Sequence, residues 1–161
     1  MNNLDERYRA PQSENTGSRS QGTPELWNPN AAACWSLLFS PVFGAALHML
    51  NARAMGDQEL EKLNKVFMWG MVAVILLSVP IALIFNLNTN FVGLALLGAW
   101  YGGVGRKQVA LVKDELGNDY PRKPWGKAIG LGCVGILALL AYGAGMGILL
   151  YALGLYTPIP E

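Results

Sequence analysis

Few side chains in this sequence could do chemistry. His48 is the only His among the 161 residues, and the only acid–base side chain of its type inside an apolar stretch. Ser36, Ser40 and Ser78 share those stretches, so a Ser and His pair can be drawn, but no Asp or Glu falls inside them to orient the imidazole. A nucleophile needs both the base and its orienting group. Cys34 and Cys133 stand about a hundred residues apart with no second ligand nearer than His48, which is neither a metal spacing nor a disulfide framework. Free thiols are the expectation. The run GAWYGGVGRK has neither the preceding strand nor the Lys and Ser/Thr ending of a phosphate loop. The sequence therefore predicts no catalytic residue, no metal, no cofactor and no enzymatic activity.

The elements that carry these residues are apolar. Twelve Lys and Arg oppose eleven Asp and Glu, a formal charge of +1, and only 14% of residues are charged while 52% are hydrophobic. Soluble domains carry about 25% charged residues, and a nucleic-acid binder driven by bulk charge would be strongly basic. All charged side chains lie outside four tracts, 31–50, 66–85, 91–105 and 128–156. Residues 1–30, rich in Asn, Ser, Gly, Pro and charge, read as a disordered tail with no secretory signal. Residues 31–156 form the helical membrane domain, and 157–161 a short tail.

At about 1.5 Å per residue the second tract reaches about 30 Å, the hydrocarbon thickness of a bilayer. Asp57 is its expected N-cap, with Glu59, Glu61, Lys62 and Lys65 preceding the apolar run. Pro80 removes a backbone donor near Leu76, which a neighbouring helix or Ser78 must replace. The polar turn 86–90 sends the third helix back antiparallel, continuing past Arg106 until Gly117 stops it. The fourth tract is longer than a perpendicular span needs, with Trp125 at one end and Tyr151 and Tyr156 at the other in aromatic-belt positions.

The first tract is divided by Pro41, and Ser36, Ser40, Gly44 and His48 recur every four residues as a weakly polar stripe. Lys and Arg number three in the tail, three between the first and second tracts, none in the Asn-rich turn, six between the third and fourth tracts, and none after Tyr156. If the first tract enters and leaves on one face, all twelve lie on one side. The positive-inside rule favours that arrangement. The expected fold is an all-α integral membrane protein with three transmembrane helices and one Pro-broken re-entrant or interfacial segment, four transmembrane helices being the alternative. Its N-terminus is then cytoplasmic and its C-terminus periplasmic. The segment Pro41 to Gly44 is expected to pack on the small-residue helices, and His48 to sit at the interface as a polar anchor near Asn51 and Arg53.

Nineteen Gly concentrate in the third and fourth tracts. Gly98 and Gly102, with Gly103 beside them, and Ala141, Gly143, Gly145 and Gly147 repeat at four-residue spacing, so small residues share a face and let backbones approach closely. Internal packing uses some of these faces, and one is left for a partner. Arg122, Lys123 and Lys127, interleaved with Pro121, Pro124 and Trp125, form a candidate headgroup anchor.

The segment NPNAAACWSLLFSPVFGAALHMLNARAMGD, with its Asn-Pro start, Trp-Ser-Leu-Leu-Phe-Ser-Pro core and Phe-Gly-Ala continuation, resembles one in small uncharacterised bacterial inner-membrane proteins. The resemblance implies a bacterial inner-membrane setting and carries no activity. The expected function is helix–helix binding, in the lipid bilayer, to another integral membrane protein or to a second copy as a homo-oligomer. An immunity protein against a membrane-inserting toxin would be one instance. A small channel or carrier, or an accessory subunit of a membrane complex, is the alternative.

Overall fold

The structure, a computed structural model, describes residues 22–157, and the remainder of both expected tails lies outside the described residues. Among the described residues every extended element is helical: α1 (Pro29–Trp35), α2 (Pro41–Met55), α3 (Gln58–Phe85), α4 (Val92–Trp100), a π-helical segment (Tyr101–Gly105), α5 (Arg106–Leu116) and α6 (Gly126–Ala152). One isolated parallel bridge joins Leu26 to Arg122.

Local chemistry sets the boundaries. Asn28 caps α1 by accepting from the Asn30 and Ala31 amides at 3.0 and 3.2 Å, with Pro29 in the first turn, where its missing N–H costs nothing. The same device starts α2: Ser40 Oγ accepts from the Phe43 amide at 3.2 Å and Pro41 follows it. Pro41 thus begins a helix rather than kinking one. Gly56, at φ +77°, ends α2, and Asp57 caps α3 by accepting from the Leu60 amide at 2.9 Å. This tight junction folds α2 back along α3 in the most extensive helix–helix interface of the chain.

Two helices, α3 and α6, are long and apolar enough to cross a membrane, and only 6% of either apolar window is buried inside the protein. A soluble core helix would be mostly buried, so this outward apolar surface suits lipid. The third expected span is not one regular helix, because 92–116 is divided by the π segment, where the Arg106 amide reaches back to the Tyr101 carbonyl. At 3.6 residues per turn a four-residue spacing drifts by about 40° per step, and the wider π turn takes up part of that drift. Trp100, Val104, Gln108 and Val112 consequently all face inward.

The first tract forms a helical hairpin, α1 and α2 joined by residues 36–40. Its tip, at Phe39 and Ser40, lies beside Ile75, midway along the apolar part of α3. Two expectations need correction here. Residues 26–30 are not tail: Leu26 is fully buried with Val112 and Tyr120, and pairs through its amide and carbonyl with Pro121 O (3.0 Å) and the Lys123 amide (2.9 Å). His48 is no interfacial anchor either, being fully buried. The stripe through Gly44 and His48 faces the core because it is less bulky and carries hydrogen-bonding groups that find partners there.

Pro80 lies within α3 and leaves the Leu76 carbonyl without its helical donor. The Tyr142 hydroxyl of α6 donates to that carbonyl at 2.7 Å, while Ser78 Oγ donates to Ile75 O at 2.8 Å. Tyr142→Phe should therefore destabilise the α3–α6 pair by about 1 kcal/mol, the scale of polar contacts between membrane helices. In a Pro80→Ala background, which restores the backbone donor, the penalty should nearly vanish. Unfolding of the four variants in micelles measures this double-mutant cycle.

Candidate functional site

Four fully buried side chains, His48, Asn64, Trp100 and Gln108, meet where α2, α3, α4 and α5 converge, and a fifth, Asn51, is fully buried on α2. Asn64 is the hub. Its Oδ1 accepts from the Trp100 indole at 2.9 Å, and its Nδ2 donates to Leu60 O at 2.9 Å and, at 3.4 Å, to Gln108 Oε1. Gln108 Nε2 in turn donates to the His48 carbonyl at 2.9 Å. Asn51 uses both ends of its carboxamide on one residue, accepting from the Trp27 amide at 3.0 Å and donating to the Trp27 carbonyl at 2.7 Å. Buried amides are tolerable only when satisfied in this way.

His48 Nε2 lies 2.9 Å from the Pro29 carbonyl. A carbonyl only accepts, so Nε2 carries the proton. Nδ1 is buried without a partner, and the ring meets Trp100 edge-on at 4.9 Å. This imidazole sits level with Gln108, which follows Arg106 and Lys107 beyond the apolar spans. Burial pushes its pKa down to about 4, opposed by the Pro29 bond, so the ring is neutral at physiological pH. Outside the layer, burial also raises the Tyr120 phenol, with Arg122 nearby pulling it down.

Close approach at Gly44 completes the site. A Cβ there would overlap Ser36 Oγ and lie 2.8 Å from Trp100 Cη2, so the indole lies over bare backbone. Ser36 itself donates to Ala32 O at 3.0 Å. Gly132 does the same for α6, since a Cβ there would sit 2.8 Å from the Phe39 ring at the hairpin tip. Within Pro41 to Gly44 both end residues are buried, Gly44 against the Trp100 ring of α4, while Val42 and Phe43 are half-buried.

The glycine faces singled out in the sequence do something different. Beyond their own stretch of helix, Gly98, Gly102, Gly143, Gly145 and Gly147 have no atom within 4 Å of where a Cβ would stand, and Gly103 only meets Phe67 at 3.8 Å. Ala141 is exposed. These faces do not pack inside the chain. Ser40, read as part of the polar stripe, is a helix cap. In the basic segment, Arg122 lies over the Tyr120 ring at 5.6 Å and Lys123 over Trp27 at 4.6 Å, while Trp125 packs near Trp35 and Lys127 is exposed. Cys34 and Cys133 are free and exposed.

Sequence reading missed Asn51, Asn64, Trp100 and Gln108. Amides near the charged ends of apolar tracts were the available signal.

Chemically the layer offers amides, an indole and a neutral imidazole, with no carboxylate or hydroxyl bonded to His48. Among the described residues no three His, Cys, Asp or Glu side chains cluster as metal ligands. The arrangement locks helices together.

Two consequences can be measured. Gly44→Ala should cost about 1–3 kcal/mol, the range for overpacking, and Ser36→Gly should recover part of it by removing the nearer clash, leaving the Trp100 contact; micellar unfolding reads both. For His48 the folded pKa lies below the unfolded one, so stability is fully present above pH 6.5 and is lost as pH falls towards about 4. The folded-to-unfolded ratio should fall roughly tenfold per pH unit across that window. His48→Gln, which keeps a donor for Pro29 O, should flatten this dependence.

Comparison with protein-family models, curated proteins and solved structures gives no match to this chain.

Proposed function

We propose that this is a multi-pass membrane protein that recognises a transmembrane helix of another integral membrane protein through the open glycine faces of α4 and α6, without catalysis. The observation that carries the reading is the open space at Gly98, Gly102, Gly143, Gly145 and Gly147. In lipid, association relies on close backbone packing, and small residues supply it. Glycines whose own chain leaves them uncovered, on helices otherwise presenting Leu94, Leu140 and Ile148 outward, fit a partner helix.

Three spans accompany this reading. Trp100 and Gln108 both reach Asn64 near the start of α3, so a chain that crosses along α3 returns across the bilayer through 91–105, with α5 projecting beyond it. The α1–α2 hairpin is then re-entrant, and all twelve Lys and Arg lie on one side, which the positive-inside rule makes cytoplasmic. The resemblance of the α1–α2 segment favours the bacterial inner membrane, with the C-terminal end periplasmic. An immunity protein against a membrane-inserting toxin is one role of this kind.

Gly98→Leu and Gly143→Leu fill open space, so both variants should insert and fold normally. A photo-crosslinking residue at Gly147 should trap one protein band, weakened at least about tenfold by Gly143→Leu, a loss of more than about 1.4 kcal/mol. Mass spectrometry then distinguishes a second copy from another protein. Crosslinks to lipid alone, or a band indifferent to both leucines, would overturn the reading.

A further inference from the structure

We propose that a water-filled vestibule opens on the side of the 86–90 turn and descends to Ser36 at the tip of the α1–α2 hairpin, admitting water and small hydrophilic molecules. A cavity of about 350 Å³ lies between the hairpin tip, α3, α4 and Leu139 of α6; apolar residues make up most of its lining, and Ser36, Ser40, Ser78, Thr89 and Asn90 bring its polar groups. The depth is the informative part. Asn64 and Phe85 are about 31 Å apart along α3, whereas Phe91 and Trp100 are only about 14 Å apart along α4. Trp100 nevertheless reaches Asn64, so α4 starts well below the outer end of α3 and the polar turn descends with it. Thr89 and Asn90 accordingly share the cavity with Ser78, which stands about 10 Å inside the Phe85 end.

Irregular backbone at membrane depth survives only where protein covers it or where it borders water. Both walls here are irregular, residues 36–40 and 86–90, and both bring hydrogen-bonding groups to the cavity. Ser36 and Ser78 each donate one hydrogen bond to their own helix, and Ser40 accepts one. Each hydroxyl keeps capacity for a further partner. No charged side chain lines the cavity. The neighbouring cavity of about 410 Å³ between the tip, α3 and α6 shares Ser40 and Ile75 with the first but is otherwise mainly apolar, walled by residues such as Val42, Val72, Leu131 and Ile136. Its surroundings suit lipid chains. Next to Ser36, Gly44 is pressed both by the Ser36 hydroxyl and by the Trp100 ring.

The test uses single cysteines at Ser40, Ser78 and Thr89 in full-length protein lacking Cys34 and Cys133, in sealed vesicles, with a charged, membrane-impermeant thiosulfonate as probe. Asn88→Cys reports the side of the turn, and Leu77→Cys, which points outward from α3, reports lipid exposure. Thiolates form only with access to water. Ser40→Cys and Ser78→Cys should react within about tenfold of Thr89→Cys, at least about a hundredfold faster than Leu77→Cys, and from the side that labels Asn88→Cys. Rates equal to Leu77→Cys, or labelling only from the opposite side, would overturn the vestibule. The proposal does not require the partner reading, and the two touch only at Leu94, which lines the cavity one turn before Gly98 on α4.

Discussion

The Asn64 carboxamide joins the part of the chain that packs tightly to the part that faces outward. It sits in α3, accepts the indole of α4, donates to Gln108 of α5, and through Gln108 reaches the backbone of α2. Satisfied buried amides are directional, so they fix register where apolar contacts alone would let helices slide. Trp100 illustrates the consequence. Its indole can bond Asn64 only while lying across Gly44, and any side chain at Gly44 would displace it. The π segment follows from the same demand, because it holds Trp100 and Gln108 on one face of a helix whose regular pitch would rotate them apart.

The two halves of the molecule differ accordingly. Around the polar layer the core contains Ala45, Ala52, Leu60, Met71 and Val104, and Leu26 packs on Val112 of α5 beside Tyr120. Beyond it, α3 and α6 present Leu77, Ile81, Leu137 and Ile148 outward. Water would penalise that surface by roughly 25 cal/mol for each Å² of apolar area, whereas lipid would not. The glycines follow this division. Gly44, Gly105 and Gly132 lie where rings press on the backbone, and those on the outer faces of α4 and α6 meet nothing.

The large features were legible because composition and hydropathy report them directly. Asp57 as a cap, Gly117 as a stop at φ +61°, and the long apolar runs of α3 and α6 are local or periodic signals. The candidate layer was not legible, because it depends on four helices converging. Asn64 and Gln108 look like ordinary polar residues near charged tract ends, and only tertiary contact makes them interior. His48 was misread for the same reason: its neighbours in sequence, Asn51 and Arg53, suggested an exposed end, yet Asn51 is itself turned inward by Trp27. Gly132 went unnoticed because glycine spacing cannot distinguish a face pressed by Phe39 from one left open.

Few contacts attach α6 to the rest of the chain. Phe39 fits against Gly132 near its start, Tyr142 supplies the donor that Pro80 denies to Leu76, and Ala128 packs with Ala32 and Leu47 at the charged end. These contacts occupy one side of α6 and leave its outer half free. In water such a helix would need burial along most of its apolar length. In a bilayer the solvent covers the remainder without penalty, and rotation is already fixed by the Phe39 and Tyr142 contacts. A helix held this way keeps a defined outward face while committing little of its surface to its own chain.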